Sequence, residues 1–397
     1  MKVRLAVIGL GNRAGKYLEY VKRNPNKVVL VAVSEPIKLR LNKVAKEFNL
    51  CNENCFADYK DLFRSSINID AVLITTPENE HYNPCVLAIS RGCNILVEKP
   101  IAQSLKECEE IVSLAEKKGV VAGVCHVLRY HPYFEKIKEI ISSKELGKVI
   151  SITHECRVGI DRMTHGFVRG MWSRKDIMNP FILSKCCHDM DYLLYISGSK
   201  CESAFSVGGL NWFKVENAPK GAAKRCIDCS VEQECPYSAI DLYCRRRQWI
   251  SNFDVPEGLS IEQVLEEQMK VGDYGRCVYY CNNNVFDNQS VIMKLGNGVK
   301  VTLVANCFTL DDRRITNISL SNGEIWGNED QIIIRNFTTK NEQVLDFSHI
   351  SNQPFHAGAD LALVDDFIDC INNKGKEFKC ALNRAIEGHK VCWGLGD

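Results

Sequence analysis

A strand-like run at residues 3–8 passes straight into Gly9-Leu10-Gly11-Asn12-Arg13-Ala14-Gly15, and this junction restricts the fold of the 397-residue chain more than any other feature. Two glycines between a strand and a helix let the backbone turn sharply and approach a pyrophosphate. The small Ala14 lets the helix pack closely on the strand. Unpaired N–H groups at the helix start then face the phosphates. Twenty residues beyond Gly15, where a second strand should end, stands Glu35. A carboxylate there accepts hydrogen bonds from the adenosine ribose hydroxyls and repels a 2′-phosphate, which favours NAD. Arg40, close by in sequence, keeps NADP open. The expected cofactor contacts are Gly9, Gly11, Asn12, Arg13, Ala14 and Glu35.

The apolar pattern continues to alternate behind this turn. Runs at residues 28–33, 71–75, 94–97 and 120–124 read as buried strands, with helical spacing over 38–48 and 79–91. A further helix opens at Ser104-Leu105-Lys106-Glu107, a capping-box sequence. Strands alternating with helices imply a parallel sheet. Past residue 125 the rhythm changes to a helix over 133–141, an alternating strand over 149–156 and a helix over 184–196. Strand-like runs follow at 291–295, 299–305, 315–320, 324–326, 332–335 and 343–347, with turn signals at Gly296-Asn297-Gly298 and Asn322-Gly323. They predict an antiparallel meander, closed by helices over 359–371 and 382–393. At roughly 150 residues per domain the chain has room for two or three. The expected division is 1–125 and 126–397, with a cysteine-rich insertion at about 212–286.

Composition narrows the class of function. Fifty Lys and Arg against 49 Asp and Glu leave a net charge of +1, so neither a nucleic-acid-binding basic excess nor an acidic tail is present. No apolar run approaches the ~18 residues of a membrane span. Lys2 and Arg4 precede an apolar stretch as in a signal peptide, yet Asn12-Arg13 ends it without a small-x-small cleavage site. The expected location is cytoplasmic, where the 20 cysteines stay reduced. Six of these fall between Cys226 and Cys281. Cys226, Cys229 and Cys235, with Cys277 (or Cys244 or Cys281) as fourth, form a donor set for a closed structural zinc site. Free thiols are one alternative, and an iron–sulfur cluster ahead of Pro236 is another.

Four motifs together carry a resemblance. They are GLGNRA at the first turn, Thr75-Thr76-Pro77 with His81, Glu98-Lys99-Pro100, and Cys187-His188-Asp189-Met190-Asp191. In this order and spacing the chain resembles the glucose–fructose oxidoreductase / inositol dehydrogenase / MocA (Gfo/Idh/MocA) family of NAD(P)-dependent oxidoreductases, in a cysteine-bearing branch. The resemblance implies an α/β Rossmann domain plus an α+β domain with an open, mainly antiparallel sheet that joins subunits in a homo-oligomer. It implies hydride transfer between nicotinamide and a secondary hydroxyl of a sugar, sugar derivative or cyclic polyol. Some relatives work instead as NAD-dependent glycosidases or epimerases through a transient keto-sugar with no net redox change. A non-catalytic member that senses NAD(H) or a sugar is a third reading. Thr75, Thr76, Pro77, His81, Glu98 and Lys99 are expected around the cofactor.

A lysine just past the C-terminal end of a strand stands in the crevice where open α/β sheets bind ligands. Lys99 falls there, and the resemblance places its counterpart between nicotinamide and substrate. His188 matches the family's second catalytic residue and titrates near neutrality, with Asp189 or Asp191 expected to fix its tautomer. Many members carry aspartate one helical turn earlier, where this chain has Ser184 beside Lys185. On a continuous helix both would face His188, which makes Lys185 the expected third catalytic member. Arg169 and Trp172 before that helix, and Arg129 and Tyr130 past the sixth strand, suit a sugar's oxygens and ring face. With Ser184 they are the expected substrate contacts.

Overall fold

In the computed structural model, which describes residues 1–351 and 353–395, the strands form two sheets. The first contains β1 (Val3–Ile8), β2 (Val28–Ser34), β3 (Cys55–Phe56), β4 (Ala71–Ile74), β5 (Asn94–Val97) and β6 (Ala122–Val124), all parallel, in the order β3-β2-β1-β4-β5-β6. Helices cover both faces, so β4 is buried at every residue and reads as a continuous apolar run. Strand order reverses between β1 and β4, and the crevice beyond their C-terminal ends is where such sheets bind ligands. Ser104 caps the helix Leu105–Lys118 by accepting from the Glu107 N–H (3.2 Å), while the Glu107 carboxylate reaches the Gln103 N–H rather than that of Ser104.

The second sheet contains β7 (Val149–Gly159), β8 (Cys201–Gly209), β9 (Asn288–Leu295), β10 (Lys300–Thr309), β11 (Arg313–Leu320), β12 (Gly323–Gly327), β13 (Gln331–Asn336) and β14 (Glu342–Asp346). Their order is β14-β13-β12-β11-β7-β10-β9-β8, antiparallel except for the β7–β10 pair. One face packs on helices Pro132–Ser143 and Cys187–Ser197 through a shared core that includes Phe134, Ile137, Met190, Leu193, Val301 and Leu303. The other face turns outward: in β9, Val291, Met293 and Leu295 are buried while Ser290, Ile292 and Lys294 are exposed.

Two C-terminal helices return to the first sheet. Leu363, Val364, Phe367 and Ile368 of Ala359–Asn372 share a core with Val3, Leu5 and Val7, and Leu382, Ala385 and Ile386 of Leu382–Gly394 join Ile74 and Val97. The cleft between the sheets is therefore braced by chain from both ends. Among the described residues, no helix is long and apolar enough to cross a membrane.

The insertion is built from short turns, a π-helical segment, Ile240–Arg245, and one α-helix, Ile261–Lys270, around a small core of Leu242, Tyr243, Leu265 and Met269. The expected zinc site is not assembled. Among the described residues, Cys156, Cys186 and Asp189 alone bring three potential ligand atoms within 4.8 Å of one another, and they lie in the main core. Cys226, Cys229, Cys235 and Cys277 do not converge in this way. The Cys226 Sγ instead accepts from the Ala239 N–H at 3.4 Å. The buried Arg169 guanidinium donates to Arg276 O (2.7 Å) and Tyr237 O (2.6 Å), so the insertion is pinned by an arginine and an apolar core rather than by four thiolates.

Candidate active site

The glycine turn has the shape its sequence predicts. Gly9 has φ +84°, and a Cβ there would stand 2.6 Å from Thr76 N, so no side chain fits. At Gly11 and Gly15 a Cβ would meet no atom within 4 Å. Open space thus adjoins the helix Asn12–Arg23, which has no side-chain cap at Gly11 and keeps its first N–H groups for a ligand. Ala14 is buried against the sheet, and the Thr75 hydroxyl donates to Gly9 O at 2.6 Å. Buried Glu35 accepts from the N–H of Leu10 (2.7 Å) and Ile37 (3.0 Å), which fixes a carboxylate beside the turn. The Thr76 Oγ1 is buried with no hydrogen-bond partner. A cradle closed to side chains, a bare helix N-terminus, an orphan hydroxyl and a fixed carboxylate fit a dinucleotide.

Two expected cofactor contacts have other partners. The Arg13 guanidinium turns inward to Glu98 (2.6 Å) and Asp360 (2.7 Å), joining the first helix to a C-terminal one. Asn12 donates to Asn252 of the insertion at 2.9 Å. Pro77 is exposed. His81 is buried with Nδ1 2.7 Å from Pro100 O and Nε2 3.0 Å from Thr76 O, so it links the loop after β4 to the Lys99–Pro100 turn. Burial opposes charge on Glu98, but Arg13 and Tyr17 outweigh it and hold the carboxyl below its usual range. Its second oxygen accepts the Lys99 N–H at 3.0 Å and anchors the backbone of that residue.

Lys99 extends across the cleft and its Nζ donates to the Ser184 carbonyl. His188, partly exposed, places Nδ1 3.2 Å from Nδ1 of the fully buried His126. Burial pushes both imidazoles well below their ordinary pKa; after burial, Lys99 and His126 act on His188, and Arg129 and Lys99 on His126. Two neutral rings result, one donating through Nδ1 and the other accepting. Neither aspartate of the motif orients His188. Asp189 binds His154 (3.1 Å) and Arg314, and Asp191 holds Arg129 through two bonds of 2.8 and 2.7 Å.

The expected continuous helix is interrupted, with Phe181–Ser184 and Cys187–Ser197 as separate elements. This separates the two candidates placed there. Ser184 donates from Oγ to Glu78 Oε2 at 2.7 Å, while the Lys185 Nζ pairs with Asp312 at 3.4 Å. Glu78 is buried and also accepts from Asn179 (2.8 Å), so a carboxylate reaches position 184 from the loop after β4. Sequence reasoning missed Glu78 and His126; the acid directly after Thr75-Thr76-Pro77 was the available signal for the first.

Most of the expected substrate contacts are committed internally. Arg129 is buried on Asp191 and Lys379 O (2.6 Å), and the Tyr130 hydroxyl donates to Asp366 (2.7 Å). Arg169 pins the insertion, and Trp172 packs on Phe167 with ring centroids 5.8 Å apart. Of that set, Ser184 alone stands beside Lys99.

Residues 3–126 match a family described as an oxidoreductase family with an NAD-binding Rossmann fold (GFO_IDH_MocA). The chain is 32% identical over 149 residues to the scyllo-inositol 2-dehydrogenase (NAD(+)) of Bacillus subtilis, a span of 38% of this chain and 43% of that enzyme. It is 26% identical over 207 residues to the 2,7-anhydro-N-acetylneuraminate hydratase of Mediterraneibacter gnavus, 52% of each chain. These matches thus span about half the length of the curated relatives. A crystal structure of an Agrobacterium radiobacter oxidoreductase in complex with NAD+, L-tartaric acid and magnesium shares the fold over 100% of this chain and 95% of its own, with a TM-score of 0.71 at 15% identity. With the glycine cradle and the Glu98-Lys99-Pro100 turn inside the matched span, residues 3–126 are an NAD-binding Rossmann domain of the GFO_IDH_MocA oxidoreductase type.

Proposed function

We propose that the protein is an NAD-dependent oxidoreductase acting on a secondary hydroxyl of a cyclic polyol, sugar or sugar derivative. The observation that carries this reading is the convergence of Lys99 and the neutral His126–His188 pair beyond the C-terminal ends of β5 and β6, the same side of the sheet on which β1 runs into the glycine turn. NAD+ supplies the hydride acceptor when bound. Lys99 Nζ holds the substrate oxygen as it becomes an alkoxide. His188, with Nδ1 engaged by His126, takes the hydroxyl proton at Nε2. Glu78 and Ser184 offer acceptors to a neighbouring hydroxyl, as a polyol requires. The scyllo-inositol dehydrogenase relative supports this substrate class. The test is NADH formation across inositols, sugars and sugar acids. Turnover with at least one cyclic polyol or sugar is expected, and no turnover or isotope exchange with any of them would overturn the reading.

A second reading, oxidation and re-reduction with no net NADH, is favoured by one observation: residues 249–254 of the insertion reach the glycine turn through Asn12 and Asn252. A segment lying there would slow cofactor exchange. The hydratase relative supports it further.

We also place a homo-oligomer interface on the outward face of the second sheet. One register row crosses it through Phe205, Ile292, Thr302, Thr153, Asn317, Trp326, Ile333 and Val344. Phe205 and Ile292, paired neighbours on β8 and β9, are 67 and 58% exposed and form an apolar patch of the kind that marks an association surface. The double variant Phe205→Glu, Ile292→Glu is expected to elute as a smaller species with an unchanged circular-dichroism spectrum. An unaltered mass by light scattering would contradict the assignment. A cytoplasmic setting accords with twenty cysteines that are all unpaired.

A further inference from the structure

Arg40 is the cation that sequence reasoning left open for a 2′-phosphate, and the structure gives it an occupant from a distant part of the chain. Its Nε lies 3.0 Å from both carboxylate oxygens of Asp254, and Nη2 is 2.8 Å from Oδ2. Asp254 belongs to the insertion, 214 residues away in sequence. Its place is fixed by neighbours that grip the segment before it. Trp249, with φ 58°, sits between the Arg162 guanidinium (4.8 Å) and the His165 ring, stacked at 5.1 Å and 13°. Phe253 stands edge-on to Tyr243 and Tyr274 at 5.6 and 5.0 Å. Asn252 lies between His165 Nε2 (3.1 Å) and Asn12 (2.9 Å), which ties the segment to the glycine turn itself.

We propose that Asp254 sets the preference of this site for NAD over NADP by holding the guanidinium that would otherwise meet a 2′-phosphate. The proposal rests on the dinucleotide reading above and deepens it. A phosphate arriving beside Glu35 finds the guanidinium already held by a three-contact ion pair, so no free cation offsets the Glu35 carboxylate. The ribose hydroxyls of NAD meet Glu35 alone and leave the pair intact. Acidic discrimination is therefore shared between the end of β2 and an insertion that folds over from the second half of the chain.

Calorimetric titration of the intact protein with NAD+ and with NADP+ tests this without reference to turnover. In Asp254→Asn the ratio of the NADP+ to the NAD+ dissociation constant is expected to fall about tenfold, the effect of one freed charge-assisted contact. Adding Arg40→Ala should abolish that gain. Arg40→Ala alone should not lower the ratio, because the guanidinium is already engaged. Three results would overturn the proposal: an unchanged ratio in Asp254→Asn, a gain that survives loss of Arg40, or a ratio that falls in Arg40→Ala alone. Wild-type protein that binds neither dinucleotide would instead overturn the cofactor reading beneath it.

Discussion

Lys99→Met is expected to lower kcat by about 10²–10³-fold, the usual effect of removing a donor aimed at developing negative charge. Methionine keeps the length and apolar stem of the side chain and removes only the terminal donor. In the structure that donor spans the cleft to the Ser184 carbonyl, beside the Glu78 carboxylate. A substrate oxygen entering there exchanges a backbone acceptor for an alkoxide that develops only during reaction, so the loss should fall on kcat. NAD+ affinity should change little, because the Lys99 backbone, rather than its amine, is anchored by Glu98. Stopped-flow turnover with calorimetric NAD+ binding would check both. A loss below about tenfold in kcat would remove Lys99 from the chemistry.

His188→Asn is expected to cost about 10²–10⁴-fold in kcat/KM, the range for a lost general base. The wild-type pH profile gives an independent signature. Burial, then Lys99 and His126, hold His188 well below the ordinary imidazole pKa. The neutral form is the base, so activity is full above the lowered pKa and falls as pH drops through it. The acid limb should lie well below pH 6.5, with a flat profile through neutrality. Removing the Lys99 charge should move that limb upward in the residual activity of Lys99→Met. Folding follows the same direction. A histidine held neutral in the native state binds its proton more readily once unfolded, so stability present above about pH 6.5 is lost as pH falls. His389, with its pKa pushed to about 3 mainly by burial, contributes in the same sense.

What could be read from sequence was local. A glycine turn is specified by residues that adjoin it, so Gly9, Gly11 and Glu35 stand where spacing put them. The β9–β10 hairpin and the β11–β14 meander were legible because their turns lie between alternating runs. β8 was not, since Cys-Glu-Ser-Ala-Phe-Ser-Val-Gly-Gly is an exposed edge strand with no buried alternation to announce it. The placement of β7 between β10 and β11, parallel to β10, breaks the single meander expected and has no local signal. The misplaced site residues share one cause, long-range pairing. Arg13, expected at the cofactor, meets Asp360 from the other end of the chain, and Arg129, expected at the substrate, neutralises buried Asp191. Helical spacing put Ser184 and Lys185 on one face, and the break before Cys187 sent them to opposite carboxylates, Glu78 and Asp312. Charged groups with no local partner find distant ones once burial makes an unpaired charge costly.

A nicotinamide dinucleotide seated on the Gly9–Gly15 turn would be seen most directly in a native mass spectrum of freshly purified protein. One NAD(H) per chain is expected, either retained through purification or taken up on adding NAD+. Retention would direct the next assay to elimination and epimerisation, and uptake to NADH-forming turnover. A chain that stays free of NAD+ and NADH at millimolar excess, while folded by circular dichroism, would rule out a dinucleotide on this turn.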